Sequence, residues 1–196
     1  SAAVVRGLIQ AGALVPTALP EFVPITAPDP GFATTTLHPD QQAAADCLRT
    51  AAAEKKFSVH LLDGVTGSGK TEVYFEAVAA TLAEDKQVLI LLPEIALTQA
   101  VLGRLEARFG VEVAQWHANI SNGNRRRIWE GVAKGHVRLV VGARSALFLP
   151  YQRLGLIVVD EEHDGSYKQE EGARYHARDL AVFRARLDGA MVILAS

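Results

Sequence analysis

The sequence predicts an α/β domain in which a mostly parallel β-sheet carries helices on both faces. Short apolar runs alternate with helical segments along most of the chain, which is typical of strands buried on both faces of a sheet. A glycine-rich loop falls between one apolar run and the next helix, and an acidic cluster directly follows another run. With 196 residues, 49% of them apolar, the chain is long enough to bury a sizeable core.

Residues 1–15 predict a short helix and a turn at Gly12, a unit too small to bury a core alone. Prolines recur through residues 16–36 and favour an extended linker, because proline continues neither a helix nor a central strand. A second module covers residues 37–196. The chain ends at Ser196 directly after an apolar run, so we expect this module to be truncated at its C-terminus.

The second module is predicted to alternate helices with strands from its first residue to its last. The strands are short apolar runs such as QVLILL at Gln87–Leu92. Helices are expected at residues 40–53, 70–83, 95–108, 124–134 and 177–187, and strands at residues 58–62, 87–92, 111–116, 137–141, 156–159 and 190–195.

Composition restricts the class of function. The formal net charge is −2, so any nucleic-acid contact must come from a local patch rather than from a basic domain. The single cysteine, Cys47, cannot form an internal disulfide and belongs to no cluster of metal-binding spacing, which fits a reducing cytosol. We find no signal peptide and no apolar stretch long enough to span a bilayer, and we expect a cytoplasmic protein.

The stretch DGVTGSGKTEVY (Asp63–Tyr74) contains the phosphate-loop pattern G-x-x-x-x-G-K-[ST]. Its glycines let backbone N–H groups converge on one anion, and the following helix adds its positive end. The alternative, an ordinary glycine-rich turn, is disfavoured by the strand before the loop and the helix after it. Lys70 is expected to reach the β- and γ-phosphates, and the Thr71 hydroxyl to bind Mg²⁺. The predicted nucleotide-binding residues of the loop are Gly64, Val65, Thr66, Gly67, Ser68, Gly69, Lys70 and Thr71.

The second motif is an acidic box in GLIVVDEEHD (Gly155–Asp164), directly after an apolar run. Asp160 falls at the carboxyl end of that predicted strand, where open α/β sheets bind their ligands, so we expect it to meet the glycine loop. Asp160 would hold Mg²⁺ through water, and Glu161 would orient and deprotonate an attacking water. His163 would contact the γ-phosphate or a neighbouring domain. The alternative is a solvated acidic turn.

A glycine loop followed by a D-E-x-H box resembles superfamily 2 helicases. Longer segments resemble the PriA family of bacterial primosomal helicases, which restart stalled replication forks, and the resemblance covers residues 37–196. The segments are GVTGSGKTEVY, LLPEIALTQ, VGARSALFLP and VVDEEHDGSYKQEEGARYHARDLA. This resemblance implies a RecA-like P-loop NTPase fold, with residues 37–196 as the first motor domain and residues 1–15 as the tail of a winged-helix domain.

The resemblance also implies an activity and its partners. The full enzyme would hydrolyse ATP with Mg²⁺, move 3′ to 5′ on single-stranded DNA, act on forked DNA and assemble the primosome with single-stranded DNA-binding proteins at the bacterial nucleoid. Zinc is expected outside this chain. A second RecA-like domain with its arginine finger is not included here, so we expect weak nucleotide binding and very slow hydrolysis.

Several residues receive roles through the same resemblance. Gln41 would read the adenine edge, with a plain helix-terminal glutamine as the alternative. Arg144 and Ser145 would contact DNA phosphates, unless Arg144 is a surface arginine without a ligand. The loop at residues 164–179 resembles the aromatic-rich loop that couples DNA contact to hydrolysis, and the alternative is a surface loop with two tyrosines packed inward. Its predicted DNA-binding or coupling residues are Tyr167, Lys168, Arg174 and Tyr175.

Other readings of the sequence remain open at this stage. One is another superfamily 2 DNA translocase, such as a RecQ-like helicase or a restriction motor. A DNA-binding module with a vestigial nucleotide site is disfavoured, because Lys70, Asp160 and Glu161 are all intact. A small-molecule P-loop kinase would not need the acidic box. Trp116 and Trp129 are expected in the core, and residues 125–127, three arginines, on the solvated surface.

Overall fold

A computed structural model describes residues 2–15 and 25–196. The N-terminal segment forms helix α1 (Ala2–Gln10), none of whose residues is buried, and Gly12 then turns the chain with a φ of 70°. The predicted short helix and turn are therefore confirmed. Its assignment to a winged-helix domain stays a prediction, and residues 16–24 of the predicted linker lie outside the described residues.

The second module contains five further α-helices and eight strands among its described residues. The helices are α2 (Pro39–Ala53), α3 (Lys70–Ala83), α4 (Gln99–Phe109), α5 (Asn122–Ala133) and α6 (Ala177–Asp188). The strands are β1 (Ser58–Leu62), β2 (Gln87–Leu91), β3 (Ala114–Trp116), β4 (Leu139–Gly142), β5 (Leu154–Val159), β6 (Lys168–Gln169), β7 (Tyr175–His176) and β8 (Met191–Ala195).

Six strands form one sheet in the order β1-β8-β5-β2-β4-β3, and every neighbouring pair is parallel. All of their carboxyl ends therefore lie at one edge. The glycine loop leaves the end of β1 and the acidic box leaves the end of β5, with β8 between them. This topology confirms the predicted parallel sheet and brings the two motifs to the same edge.

Alternate residues of each strand pack on opposite faces of the sheet, which explains why its strands are continuously apolar. Val88, Ile90 and Val158 contribute to the core beneath α2, α3 and α4. Leu89 and Ile157 contribute to the core beneath α5 and α6. The predicted helices on both faces are confirmed.

Several details differ from the sequence prediction. The helix expected from residue 95 starts at Gln99, because Pro93 leads into a short 3₁₀ turn and Thr98 caps the helix by accepting a hydrogen bond from Val101 N. Residues 168–176 contain the hairpin β6–β7, which was not predicted. Trp116 is buried as expected, but Trp129 is 49% exposed because it lies on the outer side of α5.

Candidate active site

The glycine loop has a backbone that requires glycine at two positions. Gly67 and Gly69 have φ values of 80° and 81°, in the left-handed region that other residues rarely adopt. A Cβ on Gly69 would lie 2.4 Å from the side-chain nitrogen of Gln41. The loop therefore closes tightly onto α2 and delivers the first turn of α3 to the carboxyl edge of the sheet.

Lys70 lies in this first turn and points back into the loop. Its Nζ donates to the carbonyl oxygens of Gly64 at 2.5 Å and Val65 at 3.4 Å. Nζ thus lies at the concave side of the loop, where a phosphate group would approach the backbone N–H groups. A phosphate oxygen would replace these carbonyls as the partner of the ammonium.

Gln41 joins α2 to the glycine loop. Its Oε1 accepts a hydrogen bond from His38 N at 2.9 Å, and its Nε2 donates to the Ser68 carbonyl at 2.7 Å. Both ends of the amide are engaged by backbone groups, so a contact with an adenine edge requires one of these bonds to be shared or exchanged. The adenine role of Gln41 stays a prediction.

Backbone hydrogen bonds join the glycine loop to the acidic box across β8. Gly64 N donates to the Ser196 carbonyl at 3.3 Å, and Glu162 N donates to the Ala195 carbonyl at 2.9 Å. Asp160 N donates to the Leu91 carbonyl at 3.0 Å, which ties the box to β2 as well. The predicted meeting of the two motifs is confirmed.

Asp160 is half-buried, and its two carboxylate oxygens have different partners. Oδ2 accepts a hydrogen bond from the Tyr74 hydroxyl at 2.9 Å, and Oδ1 accepts one from Glu161 N at 3.0 Å. Burial raises the pKa of Asp160, while Tyr74, the Glu161 amide and the positive charge of Lys70 pull that pKa back down.

Tyr74 was not singled out from the sequence. Its position was a usable signal, because it follows Thr71 by three residues on α3 and therefore lies on the same helix face. Burial, and then the neighbouring Asp160 carboxylate, raise the pKa of Tyr74 well above its ordinary value. The hydroxyl therefore keeps its proton and donates.

Glu161 and His163 are the more exposed members of the acidic box. Glu161 has a φ of 48°, a left-handed conformation that costs free energy in a residue with a side chain. Its Oε2 lies 3.5 Å from His163 Nε2, with the two side chains 46% and 61% exposed. His163 Nδ1 lies 3.1 Å from the Ser196 hydroxyl oxygen. Both side chains are thus accessible to a ligand at the carboxyl edge.

The third acidic residue of the box, Glu162, points toward α6. Its Oε2 lies 3.0 Å from Arg178 Nη1, and Arg178 Nε in turn donates to Asp179 Oδ1 at 3.0 Å. This ion pair holds the acidic box against the first turn of α6.

The predicted magnesium ligands have suitable chemistry. Asp160 and Thr71 supply a carboxylate and a hydroxyl, both oxygen donors of the kind that Mg²⁺ prefers. Among residues 2–15 and 25–196, no group of three or more His, Cys, Asp or Glu side chains could hold a metal ion. Mg²⁺ at a phosphate site needs only one or two protein ligands besides phosphate and water, so the residues fit this ion.

Tyr167 is fully buried, and this corrects the prediction that its ring contacts DNA. Its hydroxyl lies 2.6 Å from the Asp160 carbonyl and 3.0 Å from the Leu91 carbonyl, at the ends of β5 and β2. The apolar ring is accommodated in the core beneath α6, so it is not available to stack on a base. The inward-facing alternative is correct for this tyrosine, while a coupling role through the acidic box stays a prediction.

The remaining predicted DNA residues lie around the hairpin, at the same edge as the nucleotide motifs. Arg144 Nη1 donates to the Lys168 carbonyl at 2.5 Å, so the turn after β4 contacts the hairpin directly. Lys168 forms an ion pair with Glu170 at 2.6 Å. The Tyr175 ring packs edge-on against Phe148, with ring centroids 5.5 Å apart. Exposed side chains at this surface are Ser145, Lys168 and Arg174.

The sequence matches the DEAD/DEAH box helicase family over residues 38–196. Relatives include the replication restart proteins PriA of Chlamydia pneumoniae and Bacillus subtilis, to which the chain is 47% and 45% identical. These matches cover 82% and 80% of this chain, and 22% and 20% of the two relatives. The chain thus spans about a fifth of the length of the curated relatives that it matches.

Solved structures of helicases share the fold. RecG bound to a three-way DNA junction has a TM-score of 0.62 at 18% identity, covering 100% of this chain and 23% of that chain. The DUF1998 helicase MrfA has a TM-score of 0.55 at 22% identity, covering 82% of this chain and 27% of that one. At these identities the likeness establishes the fold alone, and it agrees with the RecA-like arrangement. In the described part of this chain, no helix is both long and apolar enough to cross a membrane.

Proposed function

The chain belongs to the DEAD/DEAH box helicase family, and on this premise we propose that residues 37–196 are the first motor domain of an ATP-driven DNA helicase. The observation that carries the proposal is the juxtaposition of Lys70 and Asp160. Lys70 lies in the first turn of α3, and Tyr74 of the same helix donates a hydrogen bond at 2.9 Å to the Asp160 carboxylate at the end of β5. A cation for phosphate oxygens and a carboxylate for a metal thus share one edge of the sheet.

In this proposal the glycine loop binds the phosphates of ATP through its backbone N–H groups, and Lys70 contacts the β- and γ-phosphates. Gln41 reads the adenine edge, and Asp160 and Thr71 hold Mg²⁺. Bound Mg²⁺ would neutralise negative charge on the phosphates during transfer.

Hydrolysis is assigned to the exposed members of the acidic box. Glu161 orients the attacking water and accepts its proton, so that ATP and water give ADP and phosphate. Its exposure and its contact with His163 support this role, because both side chains can reach a ligand at the carboxyl edge. His163 then contacts the γ-phosphate or a neighbouring domain, and its contact with Ser196 supports a link to the residues after β8.

Single-stranded DNA is assigned to the surface formed by Arg144, Ser145, Lys168, Arg174 and Tyr175. Cationic side chains there can bind phosphates, and the half-buried ring of Tyr175 can contact a base. Tyr167 directly precedes the hairpin, and its hydroxyl contacts the Asp160 carbonyl. Movement of the hairpin would therefore shift the acidic box. This contact supports coupling between DNA binding and hydrolysis.

For the whole protein we propose replication fork restart. The similarity to PriA proteins supports this branch over a RecQ-like or restriction motor. The proposal includes 3′ to 5′ movement on DNA, recognition of forked DNA, assembly of a primosome together with single-stranded DNA-binding proteins, and a place at the bacterial nucleoid. It also includes a zinc site outside residues 1–196.

The first test is ATP turnover by this chain with and without single-stranded DNA. We expect turnover well below about 1 s⁻¹, the lower end of ordinary enzyme rates, because the proposal assigns the arginine finger to a second motor domain outside residues 1–196. Phosphate release that survives Glu161→Gln would report a contaminating enzyme. Turnover at or above that rate, abolished by Glu161→Gln, would contradict the proposal that a second motor domain is needed to complete the site.

A second test concerns the hairpin surface. Joint replacement Lys168→Ala and Arg174→Ala should weaken binding of a fluorescent single-stranded oligonucleotide and reduce the salt dependence of its affinity. The log–log slope should fall by roughly 1.4, about 0.7 for each lost phosphate contact. Arg186→Ala is the matched control, because this exposed arginine lies in the last turn of α6, at the opposite edge of the sheet. An unchanged slope in the double variant would rule out the hairpin as the DNA surface.

A further inference from the structure

Tyr74 occupies a position between the two motifs of the site. It lies one turn beyond Thr71 on α3, its side chain is only 1% exposed, and its hydroxyl is 2.9 Å from Asp160 Oδ2. Its ring packs edge-on against Phe75, with centroids 5.3 Å apart. The helix that begins with Lys70 therefore contacts the acidic box through the Tyr74 hydroxyl.

We propose that Tyr74 is a positioning residue that holds the Asp160 carboxylate in the orientation needed for the Mg²⁺ of a bound nucleotide. The proposal rests on the proposed ATP-binding function and adds a residue to it. Asp160 and Thr71 would then reach the metal from one rigid unit, because Tyr74 and Thr71 are carried by the same helix.

The hydrogen bonds of Asp160 show how such positioning works. A carboxylate on a single Cβ can rotate, and rotation would move either oxygen away from a metal. The Tyr74 hydroxyl fixes Oδ2, and the Glu161 amide fixes Oδ1. Each oxygen keeps a further lone pair for water or metal. Mg²⁺ demands near-ideal octahedral geometry, so a ligand with its orientation fixed in advance binds it better.

Two other tyrosines, Tyr151 and Tyr167, make a different kind of contact. The Tyr151 hydroxyl donates to the Ala146 carbonyl at 3.3 Å, and the Tyr167 hydroxyl lies against the carbonyls of Asp160 and Leu91. Those bonds join backbone segments. Tyr74 instead donates to an ionisable side chain of the predicted site, across 86 positions of sequence.

The test compares Tyr74→Phe with the unsubstituted chain in the binding of a fluorescent ATP analogue, once with Mg²⁺ and once with excess EDTA. Phenylalanine keeps the ring and its packing and removes the hydroxyl. We expect affinity in EDTA to be unchanged, because Lys70 and the loop amides remain. The gain in affinity on adding Mg²⁺ should fall about tenfold, as is common when the partner of a metal ligand is removed.

Two further variants separate positioning from general damage. Tyr151→Phe is the matched control, since it removes another tyrosine hydroxyl away from the site, and it should leave the Mg²⁺ gain unchanged. In an Asp160→Asn background, Tyr74→Phe should cause no further loss of that gain. A further measurement keeps the hydroxyl by placing 3-fluorotyrosine at position 74. Its ¹⁹F chemical shift should change when Mg²⁺ is added to the nucleotide-bound chain.

Each other outcome has a definite meaning. Three results would overturn the positioning role and leave nucleotide binding intact. In the first, Tyr74→Phe gains as much affinity from Mg²⁺ as the unsubstituted chain does. In the second, it loses equal affinity with and without Mg²⁺, and in the third, the ¹⁹F signal does not move. If the unsubstituted chain does not bind the analogue under either condition, the proposed function itself fails, and the role of Tyr74 fails with it.

Discussion

Replacing Lys70 with alanine is expected to lower the affinity of the chain for ATP roughly a hundredfold, or about 2.7 kcal/mol. The ammonium lies 2.5 Å from the Gly64 carbonyl, on the concave side of the loop. Alanine removes the one side-chain cation that the first turn of α3 brings to the phosphates. The backbone N–H groups remain, so weak binding of the triphosphate should persist.

The measurement is a titration of fluorescent ATP analogue, read by anisotropy, with thermal melting to confirm that the variant folds. Lys56→Ala is the control, because this lysine is 66% exposed and forms its ion pair with Glu54 away from the loop. The control should bind like the unsubstituted chain. An affinity within about twofold of the unsubstituted value in Lys70→Ala would mean that the loop does not hold phosphates, and the helicase proposal would lose its nucleotide site.

The motifs could be predicted because their chemistry is local. The glycine loop has the residue spacing that its backbone needs, and the left-handed φ values of Gly67 and Gly69 follow from that spacing. The acidic box follows a continuous apolar run, and such a run predicts a buried strand and thus the edge at which Asp160 lies. Elements of this kind need no knowledge of distant residues.

The contacts that complete the site depend on residues far apart in sequence. Tyr74 and Asp160 are 86 positions apart, and Tyr167 and Leu91 are 76 apart. No periodicity in either segment reveals which hydroxyl meets which oxygen. Gln87 is a similar case, because the sequence shows only a polar residue at the start of an apolar strand. In the structure Gln87 is buried. Its amide donates to the Val132 and Val137 carbonyls and accepts from backbone N–H groups of the segment before β5.

The sequence pattern gave the wrong burial for two aromatic residues, Tyr167 and Trp129. Aromatic and basic residues alternate around the hairpin, and composition alone treats every aromatic there as a DNA contact. Tyr167 comes directly before β6 and turns inward under α6, whereas Arg174 remains exposed. Trp129 shows the reverse, since a large apolar residue on α5 was expected inside and is 49% exposed.

Tyr167→Ala is expected to destabilise the domain by about 3–5 kcal/mol, the usual cost of truncating a buried aromatic side chain. The ring leaves a cavity beneath α6, and the hydroxyl leaves the Asp160 and Leu91 carbonyls without this partner. For a domain of this size the melting temperature should fall by on the order of 10 °C. Phe183→Ala is the matched control, because this ring on α6 is 59% exposed, and its loss should cost less than about 0.5 kcal/mol.

Tyr167→Phe then separates the two roles that the sequence assigned to this residue. It keeps the buried ring and removes only the hydroxyl, so the destabilisation should shrink to about 1–2 kcal/mol. Because the ring already faces the core, affinity for single-stranded DNA should stay the same in this variant, while it falls in the Lys168→Ala, Arg174→Ala double variant. A loss of DNA affinity in Tyr167→Phe at unchanged stability would mean that Tyr167 swings outward to meet DNA. Its hydrogen bonds to β2 and β5 would then be a closed state of the hairpin rather than a permanent part of the core.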